Sequence, residues 1–242
     1  MEEKNVSALN RAKIEFKSGD PFLMADCSGA QYSEKGEGEG VFKLKYLNQD
    51  YLVKYPDGDI SFADENKESK LEQKKTGCGR LPGSKETADD EKVNDYGIDY
   101  SGGTILISDQ VLMLYYLIKA SGLPSRGKLI NFLELPQGGH HYSCFIEDAI
   151  NPLVNRLAGK EENFYKGIDE LGGKKNEMGD YGGIIDVFPK ISQTFIIWEG
   201  DDEFPPKGNI LFDSVIPTYL DTASIYVMGI NATMRLIYQA LT

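Results

Sequence analysis

Phe42-Lys43-Leu44-Lys45-Tyr46-Leu47-Asn48-Gln49-Asp50-Tyr51-Leu52-Val53-Lys54-Tyr55-Pro56-Asp57-Gly58-Asp59-Ile60-Ser61-Phe62 is the stretch that decides the fold class of this chain. Phe42, Leu44 and Tyr46 alternate with Lys43, Lys45 and Leu47, the period of a strand with one buried face. Asn48-Gln49-Asp50 and Pro56-Asp57-Gly58-Asp59 are turn-forming clusters that divide this run from residues 51–55 and 60–62. Short alternating runs with turns between them predict a three-stranded antiparallel meander.

On the N-terminal side, Leu9, Ile14 and Phe16 predict a short helix before Ser18, and Asp20-Pro21 reads as a breaker ahead of Phe22-Leu23-Met24. Residues 32–40 read as a Gly/Glu-rich loop. Residues 64–103 are rich in Lys, Glu, Asp and Gly and read as an insertion or lid. Within it, Thr76-Gly77-Cys78-Gly79-Arg80-Leu81-Pro82-Gly83 reads as a flexible loop or an anion cradle. Helical periodicity then takes over. A first helix is expected from a Ser108/Asp109 cap to Gly122, with Val111, Leu112, Leu114, Tyr115 and Ile118 as its apolar face. Residues 129–136 suit a strand or a helical turn. A second helix follows Gly138-Gly139-His140-His141, with a kink or restart at Pro152, and a third covers 160–171. Strands are expected at 184–188, 194–198 and 209–213, and a helix capped near Asp221-Thr222 closes the chain. Its inward residues are read as Ala223, Val227, Ile230, Met234, Ile237 and Leu241. Segregated runs of strands and helices predict an α+β fold, a single domain over residues 1–242 in which the N-terminal meander packs with a C-terminal strand-and-helix layer.

The chain has 242 residues and a formal charge of −12, which repels phosphate backbones and excludes nucleic acid as the expected partner. Three cysteines, Cys27, Cys78 and Cys144, form neither a disulfide framework nor a complete metal-ligand set, and a reducing cytoplasm is expected. Met-Glu-Glu-Lys-Asn at the start lacks the apolar run of a signal peptide, and no stretch suits membrane insertion.

Two constellations carry chemistry. Trp198-Glu199-Gly200-Asp201-Asp202-Glu203-Phe204-Pro205-Pro206 places four carboxylates within five residues between two aromatic rings. Three functions suit it. Its oxygens can ligate a divalent cation. A carboxylate with a raised pKa, in Glu199, Asp201 or Asp202, can serve as general acid or base. Alternatively the carboxylates are structural, capping helices or pairing with Lys190, Lys207 and Arg235. Gly200 reads as a residue with special backbone freedom, and Trp198 and Phe204 as pocket walls. The second constellation, His140 and His141, holds the only histidines. A neutral imidazole at a helix N-terminus suits a metal or an axial position on haem iron or cobalt, and half-exposed spacers are the alternative. His140, His141, Glu199, Asp201 and Asp213 are the candidate metal ligands, and Cys144 stands one turn beyond His140. No Gly-x-Ser-x-Gly elbow marks a serine nucleophile, and Cys27 with His141 is a conceivable thiol pair.

Phe188-Pro189-Lys190-Ile191, the run 196–206, Asn209-Ile210-Leu211-Phe212-Asp213-Ser214 and Pro217-Thr218-Tyr219-Leu220 resemble the family called domain of unknown function 3786. The helix at 107–120 and Tyr46-Leu47 with Tyr55-Pro56-Asp57-Gly58 fit it too, so the resemblance covers about residues 25–62 and 104–241. Members are similar across anaerobic bacteria and archaea, and some are fused to an iron–sulfur domain of the kind found in corrinoid iron–sulfur proteins. This implies a corrinoid, tetrapyrrole or one-carbon setting, although this chain has no four-cysteine cluster motif. The expectation that follows is a cytoplasmic ligand-binding or accessory protein of anaerobic metabolism, serving a corrinoid protein or binding a corrinoid or other metal tetrapyrrole. His140 or His141 would be the axial contact, with Tyr142, Trp198 and Phe204 around it. An enzyme using the carboxylates with a divalent metal, and a protein-interaction module with an acidic face, are the alternatives.

Overall fold

The computed structural model describes residues 2–36, 38–64 and 100–242, so the predicted insertion lies almost wholly outside the described residues. Two helices, α1 (Glu2–Lys17) and α2 (Pro21–Ser28), precede the meander. Asp20 starts α2 instead of merely breaking the chain. Its carboxylate accepts from the N–H groups of Phe22 and Leu23, and Pro21 occupies the first turn, where no N–H is needed.

The meander forms as read, over β2 (Glu39–Tyr46), β3 (Gln49–Tyr55) and β4 (Ile60–Phe62), with one strand added. The predicted loop at 32–40 is largely β1 (Gln31–Gly36), which pairs antiparallel with β2 and completes a four-stranded sheet. β1 is an edge strand with exposed side chains, so no apolar alternation announces it. Tyr32 alone anchors it, with its ring 4.7 Å from Phe42 and 5.2 Å from Phe22. The β2–β3 turn holds Leu47 and Asn48 at φ 46° and 61°, the left-handed pair of a tight hairpin. Tertiary contacts hold this bulky residue there: Leu47 is buried and its N–H donates to Val187 O at 3.0 Å.

Helix α3 (Ile107–Lys119) starts without a side-chain cap. The strand-or-turn segment becomes both, as β5 (Leu129–Asn131) and a 3-10 turn at Phe132–Glu134 closed by a capping box between Asn131 and Glu134. A second 3-10 turn, Gly138–His140, leads into α4 (Tyr142–Phe145), a π-helical turn (Ile146–Ile150) and α5 (Asn151–Leu157). The restart predicted at Pro152 is this π turn: proline has no N–H to donate, and the ladder resets before it. After α6 (Glu161–Glu170) come β6 (Lys174–Asn176), β7 (Tyr181–Phe188), β8 (Ile191–Trp198), β9 (Lys207–Asp213) and the long α7 (Thr222–Leu241). The second sheet is antiparallel in the order β5-β9-β8-β7-β6. The chain is α+β.

Tyr46 of β2 and Tyr116 of α3 clasp Phe188 at 4.9 and 4.2 Å, and this aromatic column joins the two sheets. Helix α7 is not one-sided as predicted. Ala223 is exposed and Val227 and Ile230 are half-buried, while Ile225, Met228, Ala232 and Leu236 are fully buried, because α3, α5 and α6 pack around it. Gly167 of α6 allows a close approach: a Cβ there would lie 2.8 Å from Leu236 O.

Asp109 is fully buried and does not cap α3. Its carboxylate pairs with the guanidinium of Arg235 and accepts from Tyr46 Oη and Asn231 Nδ2, each at 2.8 Å. Arg235, which the sequence assigns to the acidic run, is therefore spent in the core. Asp109→Ala is expected to cost about 3–5 kcal/mol in urea melts, since it strands a buried guanidinium. Asp109→Asn with Arg235→Met removes both charges and is expected to cost markedly less than either single change.

Candidate functional site

The acidic run is the β8–β9 turn, and its backbone hydrogen bonds define its shape. Asp201 Oδ1 accepts from the N–H groups of Glu203 and Phe204 at 2.9 and 2.7 Å, and Asp201 N–H donates to Phe204 O at 2.9 Å. The donors from Glu203, then Phe204, hold the Asp201 carboxyl below its ordinary range. That direction opposes the raised pKa a general acid needs at neutral pH. Gly200 serves by closeness instead of by a left-handed backbone, since a Cβ would lie 2.7 Å from Phe204 O and from Pro206 N. Glu199 N–H donates to Asp180 Oδ2 at 2.6 Å, and Glu199 Oε1 accepts from Gly159 N–H at 3.1 Å. Gly159 N–H also meets Tyr181 Oη at 3.0 Å, and that hydroxyl donates to Leu157 O. Burial, then the Glu199 carboxylate, pushes the Tyr181 hydroxyl well up.

Three large apolar side chains stand out from this loop end: Trp198, Phe204 and Met178, exposed by 41%, 59% and 37%. Met178 reaches the same end because the turn after β6 is pinned there by Asp180 N–H to Ile197 O at 3.0 Å. Lys207, opposite Trp198 in the ladder, lies 5.9 Å from the centre of the Phe204 ring. Met178 is the site residue that the sequence reading missed, because no local signal places the β6–β7 turn beside the β8–β9 turn. Glu177, Asp180, Glu199, Asp202 and Glu203 are exposed around the three.

Residues 87–235 match the family model described as Domain of unknown function (DUF3786). The chain belongs to this family. The match begins inside the segment read as an insertion and leaves the meander outside it, so it is narrower than the resemblance drawn from the sequence. No curated protein and no solved structure matches the chain. Among the described residues, no helix is long and apolar enough to cross a membrane.

The remaining candidates of this family member lie away from the loop end. His140 and His141 are exposed, Tyr142 is half-buried, and the His141 ring lies 6.3 Å from that of Tyr226. Tyr226 Oη donates to Asp148. Cys144 is a free, exposed thiol in α4, and Cys27 sits beside Gly122, 3.4 Å from where a Cβ would be. Cys78 and the 76–83 loop lie outside the described residues. The helix from α4 to α5 begins beside Phe212, with Phe145 at 6.3 Å, and ends beside Gly208 and Glu199. At about 1.5 Å per helical residue, that puts the histidines roughly 20 Å from the acidic turn. The structure therefore divides His140, His141 and Tyr142 from Trp198 and Phe204. Asp213 ends β9, roughly 20 Å along the strand from the acidic turn. Among the described residues, no three His, Cys, Asp or Glu side chains are grouped to hold a metal ion.

Asp213 organises a loop: it accepts from Ser125 Oγ and from the N–H groups of Arg126, Gly127 and Val215 at 2.5, 3.1, 2.9 and 2.8 Å. Partial burial raises its pKa, and these donors outweigh that, leaving it below the ordinary value. A depressed carboxylate stabilises the fold above its unfolded pKa of about 3.9, and that stability is lost as pH falls through the folded value. Asp213→Ala is expected to cost about 1–2 kcal/mol at pH 7 in thermal melts, with the gap to wild type closing below about pH 4.

Proposed function

We propose that this protein is an accessory module that docks a protein partner bearing a basic face through the loop end of the five-stranded sheet. The observation that carries the reading is the joint exposure of Trp198, Phe204 and Met178 on turns held by their own hydrogen bonds. Aromatic and methionine side chains are enriched at interface centres, and a pre-shaped loop loses little entropy on binding. Charge complementarity names the partner. The three side chains are ringed by carboxylates on a chain of net charge −12, which steers lysine- and arginine-rich surfaces toward them.

A cytoplasmic setting in anaerobic metabolism is the context that the family resemblance suggests for such a module. A tetrapyrrole held with His140 or His141 as axial ligand and Trp198 and Phe204 as walls would need these residues in one place, and they stand roughly 20 Å apart by helix rise.

The test is a titration of a fluorescein-labelled peptide of alternating Lys and Leu, read by anisotropy. Wild type is expected to bind it, more weakly at high salt, and to ignore the same peptide with Glu in place of Lys. Trp198→Ala with Phe204→Ala is expected to weaken binding by about tenfold or more. Equal binding by the double variant would sink the proposal.

A further inference from the structure

A second acidic feature continues from the loop end. α6 and the edge strand β6 border a groove of about 670 Å³ lined by Glu161, Glu162, Asp169 and Glu170, with Tyr165 between them. The ammonium of Lys175, also in the lining, lies 3.9 Å from the centre of the Tyr165 ring. The negative face of a ring surrounded by carboxylates attracts a cation, and here it already holds one. Lys166 adds the other positive charge in the groove, with Glu162 and Glu170 one turn away on either side. The groove meets the docking surface at the start of α6. The Tyr165 ring is 6.5 Å from that of Tyr181, whose hydroxyl shares Gly159 N–H with Glu199.

We infer that this groove is the cation-seating subsite of the docking surface. It takes a lysine or arginine side chain of the partner onto the Tyr165 ring, and Lys175 is the internal cation that yields its place. Lys175 is exposed at the end of a flexible stem on a three-residue edge strand, so it can swing out without disturbing the sheet. The identity of the partner rests on the docking reading above, and the existence of the subsite rests on the groove.

The same Lys/Leu peptide tests it. Lys175→Ala vacates the ring and removes one positive charge. Lys174→Ala removes an equal charge from the opposite face of the strand and leaves the ring occupied. Lys175→Ala is therefore expected to tighten binding about two- to fivefold more than Lys174→Ala does. Tyr165→Leu is expected to weaken binding about two- to fivefold, while Tyr165→Phe, which keeps the ring, binds as wild type. The subsite is overturned if Lys175→Ala tightens no more than Lys174→Ala, or if Tyr165→Leu binds as wild type. Equal loss in Tyr165→Phe and Tyr165→Leu overturns it too. The docking reading fails separately, if Trp198→Ala with Phe204→Ala has no effect while Lys175→Ala still tightens. A wild type that does not bind the peptide overturns both.

Discussion

A carboxylate out of contact with water must be neutralised, and in this protein Asp109 carries that constraint for the whole fold. Removing an ion from water costs several kcal/mol even after relaxation, and only a matched counter-charge with its remaining lone pairs filled offsets that cost. Arg235 supplies the charge, and Tyr46 and Asn231 fill the lone pairs. Those partners belong to β2 and α7, while Asp109 belongs to α3, so one carboxylate sets three elements in register. Burial and the Asp109 carboxylate push the Tyr46 hydroxyl well above its ordinary pKa, and burial pushes that of Tyr51 up to about 12. Both hydroxyls therefore stay protonated across the physiological range. Through α3, the same constraint sets Tyr116 against Phe188 between the sheets. Through α7, it sets the Leu236 backbone against Gly167, and with it the placement of α6 and its groove.

Besides the buried Asp109, two physical classes of acidic residue stand out. Asp20, Asp201, Asp213 and Asp221 accept backbone N–H groups at helix starts and loop ends, and they act as structural capping groups. Glu161, Glu162, Asp202 and Glu203 face solvent and produce the field that a basic partner would meet. Side-chain length favours this division without fixing it, since Asp202 faces solvent and Glu134 and Glu199 accept backbone N–H groups. Aspartate reaches its own local backbone two or three residues on, and glutamate more readily extends outward. An acidic run read as one cluster is thus a hydrogen-bonded turn with a charged rim. Its two rings are available because the turn shape leaves them no core to enter.

The strand runs around Phe42, Tyr51 and Ile196 were legible because alternation and turn residues are local signals, and the Asp221 cap and the restart at Pro152 were legible for the same reason. β1 was illegible because an exposed edge strand has no buried face to print a period. Asp109 was misread because Ser-Asp before an apolar run has the composition of a cap, and its actual partner is 126 residues away in the chain. The docking surface was half legible. Trp198 and Phe204 announce themselves beside the carboxylates, whereas Met178 joins them only through pairing of the surrounding strands.

Residue periodicity, turn chemistry and composition by themselves determined the α+β class, the meander, three strands of the second sheet and the acid character of the surface. These depend on neighbours within a few residues, whose geometry the backbone dictates. Tertiary structure alone decided which aspartates turn inward, that His140 and His141 stand apart from the acidic turn, and that Tyr165 lies under a lysine among four carboxylates. Each of those depends on contacts between elements far apart in sequence, where burial and counter-charge outweigh any local preference.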